Sequence, residues 1–133
     1  MLQASPPDEH LRLDALHSLN LLDTDRETAF DEIAGFAARI CSAPVALVSL
    51  LDSDRQWFKA SVGANGMTET PRSQAICAHA VAADSFLEIA DTTKDARTAT
   101  NPIVAGAPHF RFYAGALLKT ESGAAIGTLC VLD

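Results

Sequence analysis

Apolar and polar positions divide the chain into a helical N-terminal third and a strand-rich remainder. Asp8 and Glu9 stand where carboxylates favour a helix N-terminus, and Leu11, Leu13, Leu16 and Leu19 follow. This first helix carries more leucine than one face needs, so it either docks on another helix or protomer or packs back on its own domain. A second helix is predicted over 30–40, where Phe30, Ile33, Ala34, Ala37, Ile40 and Cys41 recur at helical spacing. Thr24 and Glu27 form a capping-box pattern ahead of it, and Pro44 stops it.

Beyond Pro44 the period changes. Val45–Leu51 is nearly all apolar and rich in β-formers, as expected of a central strand covered on both faces. Asp52, Ser53 and Asp54 turn the chain into a second strand over 55–62, with Phe58, Ala60 and Val62 alternating with Trp57, Lys59 and Ser61. Trp57 shares its strand face with Arg55 and Lys59, where it stacks under a cation or awaits a partner segment. Residues 63–73 read as loop, with Asn65-Gly66 and Pro71 as turn formers, 74–83 as an alanine-rich helix and 86–90 as a short strand. Residues 92–109 form a long polar stretch interrupted by Pro102 and Pro108, and such a stretch in a compact domain lines a site or acts as a lid. The runs 110–118 and 124–132 flank a polar turn and predict a β-hairpin. A turn centred on Glu121 sets Gly115 opposite Gly127, baring one spot of the sheet to a ligand or an aromatic ring.

Composition narrows the function. A chain of 133 residues suits one domain. Its formal charge of −7 and lack of a basic patch exclude a binder of the nucleic-acid backbone, which needs clustered Lys and Arg. The longest apolar runs fall far short of the ~20 residues that span a bilayer, so no membrane insertion is expected, nor a cleaved leader. Cys41, Cys77 and Cys130 are odd in number and widely spaced, which supports neither a disulfide framework nor a zinc ribbon and suits a reducing cytoplasm.

Cys77 and His79 pose the sharpest chemical question, since a thiol beside an imidazole is a nucleophile or a metal-binding pair. Two residues apart on a helix they point about 200° apart, so structural roles are favoured: a buried thiol and a histidine held by a backbone or carboxylate partner. No third ligand at short spacing completes a metal site. Asp91, Asp95, Arg97 and Asn101 form a polar constellation in the candidate lid. Arg97 either clamps an anionic ligand or pairs with an aspartate, and Asn101 before Pro102 suits a turn start. Arg111 and Tyr113 share one strand face and Phe112 takes the other, so only one set faces a pocket.

Taken in order, Leu22-Asp23-Thr24, the 30–40 helix, 45–52, Arg55-Gln56-Trp57-Phe58-Lys59-Ala60, Pro71-Arg72, Ile76-Cys77-Ala78-His79-Ala80, Ile89-Ala90-Asp91, Asp95-Ala96-Arg97, Asn101-Pro102 and the hairpin resemble a GAF domain. The resemblance covers 13–133, leaving 1–12 as a lead-in and the start of the first helix. It implies an α+β, PAS-related fold: a central antiparallel sheet with helices on one face and pocket-forming loops and short helices on the other. It further implies a non-catalytic sensory or regulatory module that binds a small molecule, or dimerises weakly through its N-terminal helix. Such a module controls an output domain of the histidine kinase, diguanylate cyclase or phosphodiesterase type. The expected ligand contacts are Cys77, His79, Asp91, Arg97, Asn101, Phe112 and Tyr113, with no catalytic residue and no metal. The family usually continues into a C-terminal helix, so the chain reads as an excised or truncated module.

The cofactor is unknown. Bilin-binding relatives follow their cysteine directly with histidine, whereas Ala78 separates Cys77 from His79, so no covalent bilin is expected. The Asn-Lys of cyclic-nucleotide relatives is absent, Asn101 being followed by Pro102 and Asn65 by Gly66, which leaves cyclic nucleotide unsupported. Two rival readings are a small thiol-dependent redox enzyme using Cys77, against which the scattered cysteines argue, and a pure dimerisation module with a side-chain-filled pocket.

Overall fold

The computed structural model describes residues 8–133; the lead-in at 1–7 lies outside them. Six strands, β1 (Val45–Leu51), β2 (Arg55–Val62), β3 (Glu69–Pro71), β4 (Leu87–Ile89), β5 (Tyr113–Lys119) and β6 (Ala125–Leu132), form one antiparallel sheet in the order β3-β2-β1-β6-β5-β4. The helices α1 (Glu9–Ser18) and α2 (Thr28–Ile40) pack on one face, and α3 (Cys77–Ala83), α4 (Pro102–Ala105) and the long loops cover the other. The fold is the α+β arrangement that the sequence implied.

The all-apolar β1 is buried along its whole length because both faces are covered. Val45, Leu47 and Leu51 join the core under α3, while Ala46 and Val48 meet α2 through Ala34 and Ala38. Leu16 anchors α1 against Leu50, Trp57 and Ile126.

Several local expectations change. The Thr24–Glu27 capping box does not form: α2 begins at Thr28 with Glu27 as an uncapped boundary, and the Thr24 hydroxyl bonds the Leu21 carbonyl. Glu27 is drawn away to Lys59, whose ammonium lies 2.6 Å from its carboxylate and also donates to Thr24 Oγ1 and the Asp25 carbonyl. Lys59 is 1% exposed because a bulge adds it to β2 opposite the Val48/Ser49 step. That extra residue ends the simple alternation, so Phe58 packs in the α3-side core and Ala60 and Val62 in the α2 cluster. β3 arises inside the stretch read as loop, and Pro102, read as a breaker, opens α4 at its first position, where no N–H is needed.

The hairpin register also differs. Gly115 pairs with Cys130 and Gly127 with Leu118, with a bulge at the Leu118/Lys119 step, so the two glycines do not face each other. The bare spot persists for another reason, since the Tyr113 ring lies over Gly115.

Candidate functional site

An apolar cavity of about 440 Å³ opens between the sheet and the loops of the α3 side. Its floor is Val45 and Leu47 of β1, Gln56 and Phe58 of β2, Tyr113, Cys130 and Leu132. One wall is the connection between β2 and β3, from Gly63 to Met67, and the other is Ile103 of α4 with Ala107, Pro108 and Phe110. Both walls follow from local sequence. Asn65 and Gly66 have positive φ and the Met67 N–H returns to the Ala64 carbonyl at 3.0 Å, a tight turn that Asn-Gly favours and that folds Ala64 and Met67 inward. Gly63, at φ +73°, runs so close to the Pro44 carbonyl that a Cβ there has no space. On the far side, Asn101 caps α4 by accepting the Ile103 N–H at 3.1 Å and donates to the Gln74 carbonyl, which fixes Ile103 over the sheet.

At the edge of the cavity the Gln56 side chain gathers the polar groups. Its Oε1 accepts from Ser49 Oγ at 2.8 Å and from the Cys77 thiol at 3.1 Å, and its Nε2 donates to Thr70 Oγ1 at 2.9 Å. Burial pushes the Cys77 thiol up to about 11 and that of Cys130 to about 12, so both are protonated at neutral pH. Tyr113 Oη and Thr128 Oγ1 are fully buried and neither completes a hydrogen bond of normal geometry, although Thr128, Cys130 and Cys77 stand near enough to influence the tyrosine's ionisation. Burial is the leading cause that raises the Tyr113 hydroxyl well above its ordinary value.

Of the residues expected to meet a ligand, Tyr113 alone lies in the cavity wall. Cys77 points into the core behind Gln56, fully buried. His79, on the same helix but turned away from Cys77, is half-buried; desolvation and the Arg97 charge lower its pKa. Arg97 is exposed and forked onto Asp95 at 2.7 Å, which takes that carboxyl down to about 2. Asp91 caps the turn over 92–94 by accepting the Thr93 N–H, and Asn101 holds α4. Phe112 packs against α2 on the opposite face of the sheet. The cavity is open, with Tyr113 in its wall and Phe112 on the opposite face of the sheet. Missed by sequence reasoning were Gln56, Phe58, Ala64, Met67 and Cys130. The Asn65-Gly66 turn was visible, but nothing in the sequence told which way its flanks fold.

A sheet with helices on one face and a loop-walled cavity on the other is the GAF arrangement, and the GAF domain profile matches residues 25–133. The chain belongs to the GAF family. It is 44% identical over 128 residues to a cyclic di-GMP phosphodiesterase of Pseudomonas aeruginosa, an alignment that takes in 96% of this chain and 22% of that protein. The chain thus spans under a quarter of that relative's length. Among solved structures, the GAF domain of an Acinetobacter phosphoenolpyruvate-protein phosphotransferase superposes with TM-score 0.63 at 17% identity, over 92% of this chain and 77% of that one. A free methionine-R-sulfoxide reductase of Neisseria meningitidis, solved with its substrate, superposes with TM-score 0.64 at 19% identity, over 100% and 80%. At these identities the two structures speak for the fold alone. As a GAF domain, the chain is a regulatory module of the kind used in signal transduction. No helix among the described residues is long and apolar enough to cross a membrane.

Proposed function

We propose that this domain is a non-catalytic, cytoplasmic sensor that takes a small molecule into the cavity and passes the change in packing to an output domain of a longer parent protein. The observation that carries the reading is the cavity itself: about 440 Å³, apolar, and walled by two loops that can adjust to an occupant. Thr70 stands in its wall, and two residues on Arg72 grips Glu9 of α1 at 2.6 Å. An occupant that shifts β3 therefore acts on the helix nearest the chain's N-terminus, and a difference in affinity between two packings is enough to shift their populations. The output is a phosphodiesterase of cyclic dinucleotides or a related signalling enzyme, a reading supported by the relative from Pseudomonas.

The thiol-enzyme alternative fares worse. A nucleophilic cysteine needs an exposed, cation-stabilised thiolate, and Cys77 is buried with its pKa raised, while His79 is aimed elsewhere. Native mass spectrometry of the purified domain tests the sensor reading. Retained non-covalent mass in the wild type, absent from Ala64→Phe, is the expected result; no retained mass, together with no change in melting temperature across a fractionated cell extract, contradicts it.

We also assign weak self-association to the domain. The leucines of α1 favour this N-terminal helix as the contact, and Leu11 and Leu19 are exposed, but α2 offers the more continuous face, with Ile33, Phe36 and Ile40 all exposed and spaced by three and four. Glu32 and Arg39, both exposed, flank that stripe seven residues apart. In a two-fold antiparallel pair of α2 helices, Glu32 of one copy comes opposite Arg39 of the other, twice.

A further inference from the structure

The composition of the cavity wall restricts what it can hold. Among the described residues, none that lines it is Asp, Glu, Lys, Arg or His. The lysine and arginines nearest in sequence to the lining residues are committed elsewhere: Arg55 to Asp23 and Glu69, Lys59 to Glu27, Arg72 to Glu9 and the Asp52 carbonyl, Arg111 to the Val104 carbonyl; His109, between Pro108 and Phe110, is exposed and does not line the cavity. An ionised ligand would exchange its water for Val45, Leu47, Phe58, Ile103, Phe110 and Leu132, with no countercharge to offset the loss. The wall's own thiol registers the same penalty, since burial is the largest cause that raises Cys130 to about 12.

Besides Asn65 of the exposed turn and Tyr113, the polar side chains that line the cavity are Gln56 and Thr70, hydrogen-bonded to each other and each with a donor to spare. Gln56 uses both lone pairs of Oε1 on Ser49 and Cys77 and one amide hydrogen on Thr70, which leaves its second amide hydrogen. Thr70 Oγ1, having accepted from Gln56, keeps its own hydrogen to give. From this juxtaposition we infer that the cavity selects an uncharged, mainly apolar ligand carrying a hydrogen-bond acceptor, a carbonyl or ether oxygen, at the end that meets Gln56 and Thr70. The inference rests on the sensor reading above and sharpens it. A phosphate ester, a free amino acid or a carboxylate is disfavoured by the same wall.

Three naphthalenes of near-equal size test it by fluorescence titration of the intact domain: 2-acetonaphthone, neutral with an acceptor; 2-naphthoate, charged; and 2-isopropylnaphthalene, neutral without an acceptor. The ketone is expected to bind at least tenfold more tightly than the carboxylate and severalfold more tightly than the hydrocarbon. Ala64→Phe, which fills the cavity from the loop, should weaken the ketone at least tenfold. Thr70→Val should erase most of the ketone's advantage over the hydrocarbon and leave its advantage over the carboxylate; unchanged circular dichroism of both variants secures the comparison. Naphthoate binding as tightly as the ketone, with both lost in Ala64→Phe, overturns the neutral-ligand inference and leaves the sensor reading standing. Equal affinity for ketone and hydrocarbon overturns the acceptor requirement. Binding that Ala64→Phe does not touch places the ligand elsewhere and overturns the inference, whereas no binding of any probe, joined to no retained mass in the native spectrum, removes the sensor reading itself.

Discussion

Tyr113 and Gly115 show how one residue shapes the cavity. The tyrosine ring runs along its own strand and lies over the glycine, where a Cβ would stand 2.8 Å from Cζ. With the ring 1% exposed and packed among Leu47, Leu87 and Cys130, only the cavity side gives it room to move. Gly115→Val should therefore push the ring into the cavity, cost about 1–3 kcal/mol of overpacking, and weaken 2-acetonaphthone binding together with stability. Ala114→Val, whose side chain faces the α2 cluster on the other face of the sheet, should leave binding intact. Equal affinity for the ketone in the two variants would remove the argument. The vulnerability of Gly115 was legible in the sequence, because a glycine in a strand marks a close approach. Its cause was not, because the register was set by a bulge at Leu118/Lys119 that no turn residue announces.

At the scale of elements, period and punctuation revealed β1, β2, α2, the hairpin and the helical character of 77–83, but not how α1 is held. Its leucines suggested an apolar contact, and Leu16 supplies one; the firmer attachment is electrostatic. Glu9 accepts from Arg12 Nε and Nη2, each at 2.8 Å, and from Arg72 Nη1 at 2.6 Å, with both arginines buried. His17 and Asp52 add a contact at 2.8 Å near the other end of the helix. Such a network joins residues 63 apart in sequence, which spacing alone cannot display. Burial raises the Glu9 carboxyl, but hydrogen bonds from Arg12 and Arg72 and their charges outweigh it and bring it from 4.5 down to about 2. A carboxyl lowered on folding stabilises the folded state fully above its unfolded value and loses that contribution as pH falls through the folded one. The attachment of α1 should thus weaken between about pH 4.5 and about pH 2, by on the order of 2–3 kcal/mol. Hydrogen exchange of the α1 amides should quicken over that window in the wild type. Glu9→Gln should show fast α1 exchange already at pH 6 and little further change on acidification; a wild-type pH profile preserved in Glu9→Gln would show that another group holds the helix.

Viewed as a whole, the molecule separates its tasks between the two faces of one sheet. The α3 side holds the cavity; of its loops, the 92–109 stretch was recognisable as site material from its length and its prolines, whereas 63–67 read only as a turn. The polar residues that looked most like ligand contacts instead hold the 92–109 stretch in shape, because Asp91, Asp95 and Asn101 accept from nearby backbone N–H groups. On the opposite side, α2 uses Ala34 and Ala38 to approach the sheet and turns Ile33, Phe36 and Ile40 outward, exposed at 48%, 58% and 67%. Three large apolar side chains at that spacing form a strip one helix long, too narrow for a tight dimer on its own and suited to association in the micromolar range, to which the Glu32 and Arg39 pairs add orientation more than affinity. Phe36→Glu places like charges at the centre of the two-fold contact and should leave the domain monomeric at concentrations where the wild type self-associates, with no loss of melting temperature because the side chain contributes little to the core. Exchanging the flanking charges, Glu32→Arg with Arg39→Glu, keeps the pairing complementary and should preserve association, whereas Glu32→Arg alone should weaken it. Sedimentation equilibrium distinguishes these outcomes, and a wild type that remains strictly monomeric at several hundred micromolar would rule out α2 as a self-association surface.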